Sequence, residues 1–389
     1  MTIGIDRIGF ATSQYRLSLE DLAQARGVEP AKFTKGLMLD SMSITPITED
    51  IVTMAASAAS QILTDEDRET IDLIIFATET GIDQSKAASV FLHGLLGIQP
   101  FARSIEMKEA CYAATAGLDY AKRHVEKFPD RRVLVIASDI AKYGIASGGE
   151  ATQGAGALAL IISSNPRTLI LNDDNLAQTR DIMDFWRPNY STTPYVQGAF
   201  STQQYLDCLT TTWAEHQKRF GTSLDQLAAF CFHVPFPKLA KKGLDSLMTD
   251  DLTETDRDRL TSNFDAAITY NRQIGNIYTG SLYLSLLSLL ENSRALQAGD
   301  QIGLFSYGSG AVCEIFTATV VDGFEQHLRT DRQAELDLRT PISVDTYEAL
   351  FYEEAQLDET GSTSFKTYQT GAYALTAIDR HKRIYHKVN

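Results

Sequence analysis

The stretch Ile71-Asp-Leu-Ile-Ile-Phe-Ala-Thr78 decides the fold. Its near-continuous run of apolar and β-branched residues is typical of a β-strand that is buried on both faces. Residues 85–96 follow with a helical pattern, and residues 132–138 and 156–163 repeat the apolar strand pattern. Short buried strands that alternate with helices predict an α/β fold, with a largely parallel sheet covered by helices on both faces.

The second half of the chain repeats this order of elements. The likeness lies in the sequence of strands and helices and not in residue identity, and it predicts an internal duplication. The corresponding pairs are residues 71–78 and 227–233, 115–125 and 280–290, 132–138 and 301–306, and 156–163 and 311–318.

The duplication predicts two halves that meet near residue 166. The N-terminal half is expected over residues 1–166 and the C-terminal half, with insertions, over residues 167–389. Residues 172–200 are polar and aromatic and fit neither repeat. We expect them to form an insertion or a lid between the halves.

Composition and charge exclude several classes of function. The chain has 389 residues, of which 44% are hydrophobic and 22% are charged, and its net charge is −15. An acidic protein is repelled by nucleic acid and by anionic membranes, so neither is an expected partner. No basic-then-apolar leader and no apolar run of membrane-spanning length is present, and we expect a cytoplasmic protein.

The cysteines show no metal-binding or redox spacing. Cys111, Cys208, Cys231 and Cys313 are widely separated and form no C-x-x-C pair. The sequence therefore predicts reduced thiols, no zinc site and no bound metal.

Cys111 is the candidate nucleophile. It stands where an extended stretch becomes a helix rich in small residues. A thiol at a helix N-terminus faces free N–H groups and the positive end of the helix dipole, and both favour the thiolate that acyl transfer needs. We therefore expect a lowered thiol pKa. The alternative is a buried cysteine that acts as a small hydrophobic residue.

The duplication brings four polar residues toward one centre. Glu79 and His233 follow corresponding strands, and Cys111 and Asn276 open corresponding helices. The carboxyl ends of strands share a face with the N-termini of the following helices, which is where ligands bind. Glu79 then suits a general base. The alternatives are a surface carboxylate at Glu79 and a structural histidine at His233.

Two neighbouring segments add candidate binding residues. Lys238, Lys241 and Lys242 follow His233 and form a local anion site suited to phosphates, although a solvated helix start remains open for Lys241. Glycines flank Ser309 in the turn Tyr307-Gly-Ser-Gly310 and allow a backbone N–H to approach an oxyanion.

Five motifs, in order along the chain, resemble those of the 3-hydroxy-3-methylglutaryl-CoA synthases of the bacterial mevalonate pathway, within the thiolase-like superfamily. The resemblance covers essentially the whole length and implies a duplicated αβαβα layered architecture with two pseudo-twofold related halves. The motifs are Ala77-Thr-Glu-Thr80, Glu109-Ala-Cys-Tyr-Ala-Ala-Thr-Ala-Gly117, Phe232-His-Val-Pro-Phe-Pro-Lys238, Gly275-Asn-Ile-Tyr-Thr-Gly280 and Ser306-Tyr-Gly-Ser-Gly-Ala311.

The resemblance implies a condensation of two CoA thioesters in a homodimer, without a cofactor. Acetyl-CoA would acylate Cys111, Glu79 would remove a methyl proton, and the carbanion would attack the ketone of acetoacetyl-CoA, polarised by His233. Water would then release the product. The implied binding residues are Asn276 and Ser309 at the acetoacetyl group, Lys238 and Lys242 at CoA, Thr152 and Ser201 near the thioester, and Tyr143 against the acetyl group.

One departure and three rivals bear on this reading. Many relatives have Gly-Gly where this chain has Ala113-Ala114, and Ala110 directly precedes the nucleophile.

A ketoacyl synthase III would not need Glu79, because it makes its carbanion by decarboxylation. A thiolase would have a second catalytic cysteine where this chain has Ser309. An inactive acyl-carrier scaffold would have no need of Glu79, Cys111 and His233 together.

Overall fold

The computed structural model describes residues 1–388 and consists of α-helices and β-strands in one layered body. The strands are β1 (Ile3–Thr12), β2 (Tyr15–Ser18), β3 (Ser41–Ile44), β4 (Ile71–Ala77), β5 (Arg103–Met107), β6 (Arg132–Ala141), β7 (Gly154–Ser164), β8 (Leu169–Leu171), β9 (Leu176–Thr179), β10 (Phe185–Trp186), β11 (Tyr195–Val196), β12 (Ala229–Phe232), β13 (Gln301–Gly308), β14 (Val312–Val320), β15 (Thr340–Pro341), β16 (Thr363–Ser364), β17 (Tyr373–Asp379) and β18 (Lys382–Lys387). The helices are α1 (Leu19–Ala25), α2 (Ala31–Thr34), α3 (Ile51–Ser60), α4 (Asp65–Thr70), α5 (Ala88–Leu96), α6 (Ala113–Lys127), α7 (Gly198–Phe220), α8 (Pro237–Leu247), α9 (Glu254–Ile268), α10 (Asn271–Ile274), α11 (Ser281–Asn292), α12 (Arg332–Asp337) and α13 (Val344–Phe351).

The main sheet runs in the order β12-β13-β14-β8-β1-β7-β6-β4-β5, and β9 pairs with β14. The prediction of a largely parallel sheet is wrong. Only β4 with β5, β4 with β6, and β12 with β13 are parallel along this path, and the other neighbours are antiparallel. The physical reason is that a continuous apolar run reports burial of both faces of a strand and carries no information about its direction.

The predicted duplication is confirmed by the sheet topology. In the first half β4 pairs parallel with β6, which pairs antiparallel with β7, which pairs antiparallel with β1. In the second half β12, β13, β14 and β8 follow with the same order and the same directions. The two sets join where β1 pairs with β8. The boundary between residues 166 and 167 stays a prediction.

Alternating side chains of the strands build five layers. On β4, Leu73 and Ile75 face α6, whereas Ile74 and Phe76 face the outer helices α3 and α5. In the second half one strand face packs on α11 and the other on α7 and α8. Helices α6 and α11 therefore form a central layer between the two sets of strands, and α11 is buried from Ser281 to Leu290. Each fully buried leucine in such a layer contributes roughly 1.5–3 kcal/mol relative to exposure.

The segment 172–200 is only in part an insertion. Strand β9 extends the main sheet beside β14, whereas β10 and β11 form a separate two-stranded hairpin. Among residues 1–388 no helix is long and apolar enough to cross a membrane.

Candidate active site

Cys111 lies in the turn that connects β5 to the central helix α6. The residue before it, Ala110, has a left-handed backbone with φ of 41°. The Sγ of the half-buried Cys111 donates a hydrogen bond to Oε1 of Glu79 at 3.1 Å. The carboxylate comes from the turn after β4, so the carboxyl end of a strand and the start of the central helix meet, as the duplication predicted.

Asp139, at the end of β6, holds the turn that carries Glu79. Its Oδ1 accepts hydrogen bonds from the Thr78 hydroxyl, the Glu79 amide and the Thr80 hydroxyl, at 2.7 to 2.9 Å. Its Oδ2 accepts from the amide and hydroxyl of Thr279, at 3.1 and 2.5 Å, in the second half of the chain. A fully buried carboxylate thus joins the turn that carries Glu79 to the turn that carries Thr279.

The electrostatics of the site contradict the expected low pKa of the thiol. Burial raises the pKa of Cys111 well above its ordinary value, and the adjacent Glu79 raises it further, because a second negative charge is unfavourable there. Tyr112 and not Cys111 occupies the N-cap of α6, so the thiol lies one residue before the helix. Burial and nearby Asp139 raise the pKa of Glu79 to about 8. The site therefore pairs a thiol with a carboxyl group that is a stronger base than an ordinary glutamate.

His233 follows β12 and enters the pocket as a neutral imidazole. Its side chain is 3% exposed, and burial lowers its pKa to about 3. Its backbone amide bonds to Phe305 and its carbonyl accepts from Tyr205, which fixes the loop. Among residues 1–388, its buried Nδ1 has no hydrogen-bond partner, and the residue lines the cavity described below.

Asn276 is held in one orientation at the turn before α11. Its Oδ1 accepts from the Tyr278 amide at 2.9 Å and from the Ser281 hydroxyl at 2.8 Å. Its Nδ2 donates to the Tyr143 hydroxyl at 2.8 Å. The amide N–H side consequently faces the pocket, where it can donate to a carbonyl oxygen.

One cavity of about 570 Å³ brings most of the predicted site residues together. Glu79 lies beside it through its contact with Cys111. The residues predicted from the sequence that line the cavity are Cys111, Tyr143, Thr152, Ser201, His233, Asn276 and Ser309.

The two predicted lysines are not part of that lining. Lys238 is half-buried and Lys242 is exposed on α8, whereas Phe236 and Leu239 of the same segment do line the cavity. Lys241, for which a solvated helix start was the alternative, pairs with Asp245 on the same helix. The roles of Lys238 and Lys242 toward CoA therefore stay predictions.

Sequence reasoning missed three charged residues at the site. Asp139 carried a usable signal, because it is an acidic residue at the end of an apolar strand, as Glu79 is. Asp184 and Arg187 lie in the 172–200 segment, where no periodicity marked them. Asp184 is buried and accepts from the Tyr307 hydroxyl at 2.7 Å, the Gly310 amide at 2.9 Å and the Ser201 hydroxyl at 3.2 Å.

In the turn that carries Ser309, the backbone passes so close to its neighbours that position 308 has room only for glycine. A Cβ added at Gly308 would lie 2.6 Å from the Glu109 carbonyl oxygen and 2.7 Å from Cβ of Tyr112. A side chain would therefore push this turn away from Cys111. Tyr112 is also tied to the second half, through a 2.6 Å hydrogen bond to Glu314.

This fold and site define a class: a duplicated α/β protein whose half-buried thiol can accept an acyl group beside a carboxylate that can take a proton. Comparison with known proteins agrees. The family model "Hydroxymethylglutaryl-coenzyme A synthase N terminal" matches residues 2–167, and the model "Hydroxymethylglutaryl-coenzyme A synthase C terminal" matches residues 175–264 and 252–388. The chain belongs to the hydroxymethylglutaryl-coenzyme A synthase family.

Individual relatives match over the full length. The hydroxymethylglutaryl-CoA synthase of Enterococcus faecalis is 50% identical over 388 residues, covering 99% of this chain and 100% of the relative. A crystal structure of HMG-CoA synthase complexed with CoA has a TM-score of 0.99 and 64% identity, over 100% of both chains. A structure of MvaS in complex with 3-hydroxy-3-methylglutaryl coenzyme A has a TM-score of 0.88 and 34% identity, over 100% of this chain and 99% of the other.

Proposed function

We propose that this protein condenses acetyl-CoA with acetoacetyl-CoA and water to give 3-hydroxy-3-methylglutaryl-CoA and CoA. The observation that carries the proposal is the 3.1 Å contact between Cys111 Sγ and Glu79 Oε1 inside the 570 Å³ cavity. A nucleophile and a base at that separation suit an acyl-enzyme whose methyl group lies within reach of the base.

The first step forms an acetyl thioester on Cys111. As Sγ attacks the acetyl carbonyl, its proton passes to Glu79 along the existing hydrogen bond, which removes the need for a resident thiolate. The bond from the acetyl carbon to the sulfur of CoA then breaks, and the departing CoA thiolate takes that proton. Glu79 is a carboxylate again when the acetyl-enzyme is complete.

The second step forms a carbon–carbon bond. Glu79 removes a proton from the acetyl methyl group, and the carbanion attacks the ketone carbon of acetoacetyl-CoA. A neutral His233 and the amide of Asn276 donate hydrogen bonds to the ketone oxygen, which becomes an alkoxide. The alkoxide then takes the proton that Glu79 removed, so Glu79 is a carboxylate again. Each positioned donor of this kind raises the rate by a factor of about 10²–10³.

The third step regenerates the enzyme. Water attacks the thioester between the product and Cys111, and the bond from the acyl carbon to Sγ breaks. The water oxygen becomes part of the product carboxylate, one of its protons restores the thiol, and the other is released to solvent. The product keeps the CoA that entered with acetoacetyl-CoA, so one CoA is released per turnover.

We further propose a cytoplasmic homodimer in the mevalonate route to isoprenoids, acting without a cofactor. The dimer is supported by β5, which ends the main sheet, and by neighbouring Phe101, which is 92% exposed. An unpaired sheet edge next to an exposed aromatic ring is a surface that a second copy can cover. Molar mass measured by light scattering during size-exclusion chromatography tests this, and a monomer at micromolar concentration would contradict it.

Incubation with the two thioesters tests the reaction. We expect 3-hydroxy-3-methylglutaryl-CoA by mass spectrometry, with loss of the acetoacetyl-CoA enolate absorbance, and none with Cys111→Ser. Turnover that requires malonyl-CoA would instead support a ketoacyl synthase. Binding of both thioesters without turnover would support an acyl-carrier scaffold.

A further inference from the structure

The β10–β11 hairpin covers the cavity and carries an arginine that the proposed mechanism does not use. Phe185 of β10 and Val196 of β11 line the cavity, and Arg187 directly follows β10. The hairpin that holds Arg187 is therefore part of the cavity wall.

Arg187 reaches the turn that carries the proposed base. Its Nη2 donates a hydrogen bond to the backbone carbonyl oxygen of Glu79. This contact joins the hairpin to the carboxyl end of β4, across 108 positions of sequence. The side chain is half-buried, so its charge is only partly screened by water.

The charge of Arg187 is not neutralised by a direct ion pair. Within the described part of the chain, no carboxylate oxygen lies within ion-pair distance of its guanidinium. Its positive field therefore acts on the Glu79 carboxylate, which belongs to the residue whose carbonyl it binds.

The other groups around Glu79 are acidic or neutral. Asp139 on β6 and Glu109 before α6 raise the pKa of Glu79, and Arg187 lowers it. The thiol of Cys111 donates to the carboxylate. Tyr143 and Tyr278 keep their protons, because burial raises the pKa of both phenols. His233 is neutral. A cation near a base in such surroundings lowers its pKa and so increases the ionised fraction at neutral pH.

We infer that Arg187 is a positioning residue that ties the β10–β11 hairpin to the Glu79 carbonyl and increases the fraction of the Glu79 side chain that is ionised for proton abstraction. The inference rests on the proposed function. The position of the hairpin would then affect the base, because displacement of the hairpin would move the Arg187 cation away from Glu79.

The test is a pH profile of the condensation step alone. Enzyme acetylated beforehand is mixed with acetoacetyl-CoA between pH 6 and 9, quenched, and assayed for 3-hydroxy-3-methylglutaryl-CoA. We expect Arg187→Gln to move the acidic limb upward by about one pH unit and to slow condensation about tenfold at pH 7, since an opposite charge near a carboxylate shifts its pKa by one to three units. Arg187→Lys should return the acidic limb most of the way to its wild-type pH.

Arg180→Gln is the matched control. Arg180 lies in the same segment but contacts Gln178 and Gln204, away from the Glu79 turn. Its variant should keep the wild-type profile. Partial unfolding of Arg187→Gln would lower the amplitude of HMG-CoA formation without moving the limb, so limb position separates the two effects.

Two outcomes overturn the inference. One is an Arg187→Gln enzyme whose acidic limb coincides with that of the wild type, however slow it is. The other is a Lys variant no better than the Gln variant. If instead the wild-type acetyl-enzyme makes no product at any pH, the proposed function fails and not this inference alone.

Discussion

The thiol of Cys111 donates a 3.1 Å hydrogen bond to the carboxylate of Glu79, although 32 positions separate the two residues in the sequence. The contact depends on both halves of the chain, because Asp139 clamps the Glu79 turn to Thr279 of the second half. The site is therefore a product of the duplicated fold and not of one local motif.

Asp139→Asn should weaken both the fold and the reaction. An amide would place an N–H₂ group against hydroxyl and amide donors that now share two carboxylate oxygens. Leaving one or two of these buried groups unpaired costs on the order of 2–4 kcal/mol. We expect a lower free energy of unfolding in urea, together with slower formation of 3-hydroxy-3-methylglutaryl-CoA.

An exposed aspartate is the control for that substitution. Asp130 is exposed in the turn before β6, and Asp130→Asn should leave stability and turnover unchanged. Equal stability and activity of the two variants would show that Asp139 does not clamp the turns.

The rate of the condensation step should increase with pH, because the base must be ionised to remove a proton. Burial raises the pKa of Glu79 to about 8, so the carboxylate is the minor form at pH 7 and the major form at pH 9. The rate from the acetyl-enzyme should therefore rise from pH 6, reach about half of its maximum near pH 8 and level off above about pH 9. Quenched single-turnover measurements check this, and a flat profile over that range would remove Glu79 as the base.

Glu49 should make the folded state less stable as pH rises. It is buried between β3 and α3 and accepts hydrogen bonds from the Ser13 hydroxyl at 2.6 Å and the Gly371 amide at 3.1 Å. Burial raises its pKa from 4.5 to about 7. Between these values the folded state binds more protons than the unfolded state, so the free energy of unfolding falls with rising pH.

Glu49→Gln removes this contribution. The decrease in the free energy of unfolding from pH 5 to pH 8 should be smaller in the variant, by on the order of 2 kcal/mol. Urea titrations at both pH values measure it. Parallel pH dependences in the two proteins would mean that Glu49 is ionised in the folded state at pH 5.

Ala110 should tolerate glycine and reject valine. Its φ of 41° lies in the left-handed region, which costs an alanine about 1–2 kcal/mol and a β-branched residue more. Ala110→Gly should keep the free energy of unfolding within about 1 kcal/mol, because relieved strain offsets the greater chain entropy of glycine. It should also change the acetylation rate, since it frees the backbone before Cys111.

Ala110→Val makes the matched comparison. It should lower the free energy of unfolding by about 2 kcal/mol or more and reduce acetylation of Cys111. Thermal unfolding and the yield of acetyl-protein by mass spectrometry report the two effects. A valine variant as stable as the glycine variant would show that the backbone at position 110 is not strained.

The sequence predicts the repeat and the meeting of Glu79, Cys111, His233 and Asn276, because periodicity and strand ends are local signals. It does not predict strand direction, since buried strands are apolar whether parallel or antiparallel. It also misjudges the thiol, because the desolvation of Cys111 and its contact with Glu79 exist only after folding.

Long-range pairing explains the residues that were missed. The roles of Arg187 and Asp184 depend on contacts with Glu79, Gly310 and Tyr307, which lie more than 100 positions away in the sequence. Asp139 is the exception, since a carboxylate that ends an apolar strand is a signal readable without the structure.

The central claim is that Cys111 carries the acetyl group and Glu79 makes it a nucleophile. Glu79→Gln, given labelled acetyl-CoA, separates these two roles in one experiment. We expect labelled acetyl on Cys111 to reach near-wild-type stoichiometry, although more slowly because Gln cannot accept the thiol proton. We expect condensation of that acetyl-enzyme with acetoacetyl-CoA to be slower by a factor of about 10²–10⁴, the usual contribution of a general base. A variant that cannot be acetylated, or one that is acetylated and condenses at the wild-type rate, would contradict this division of labour.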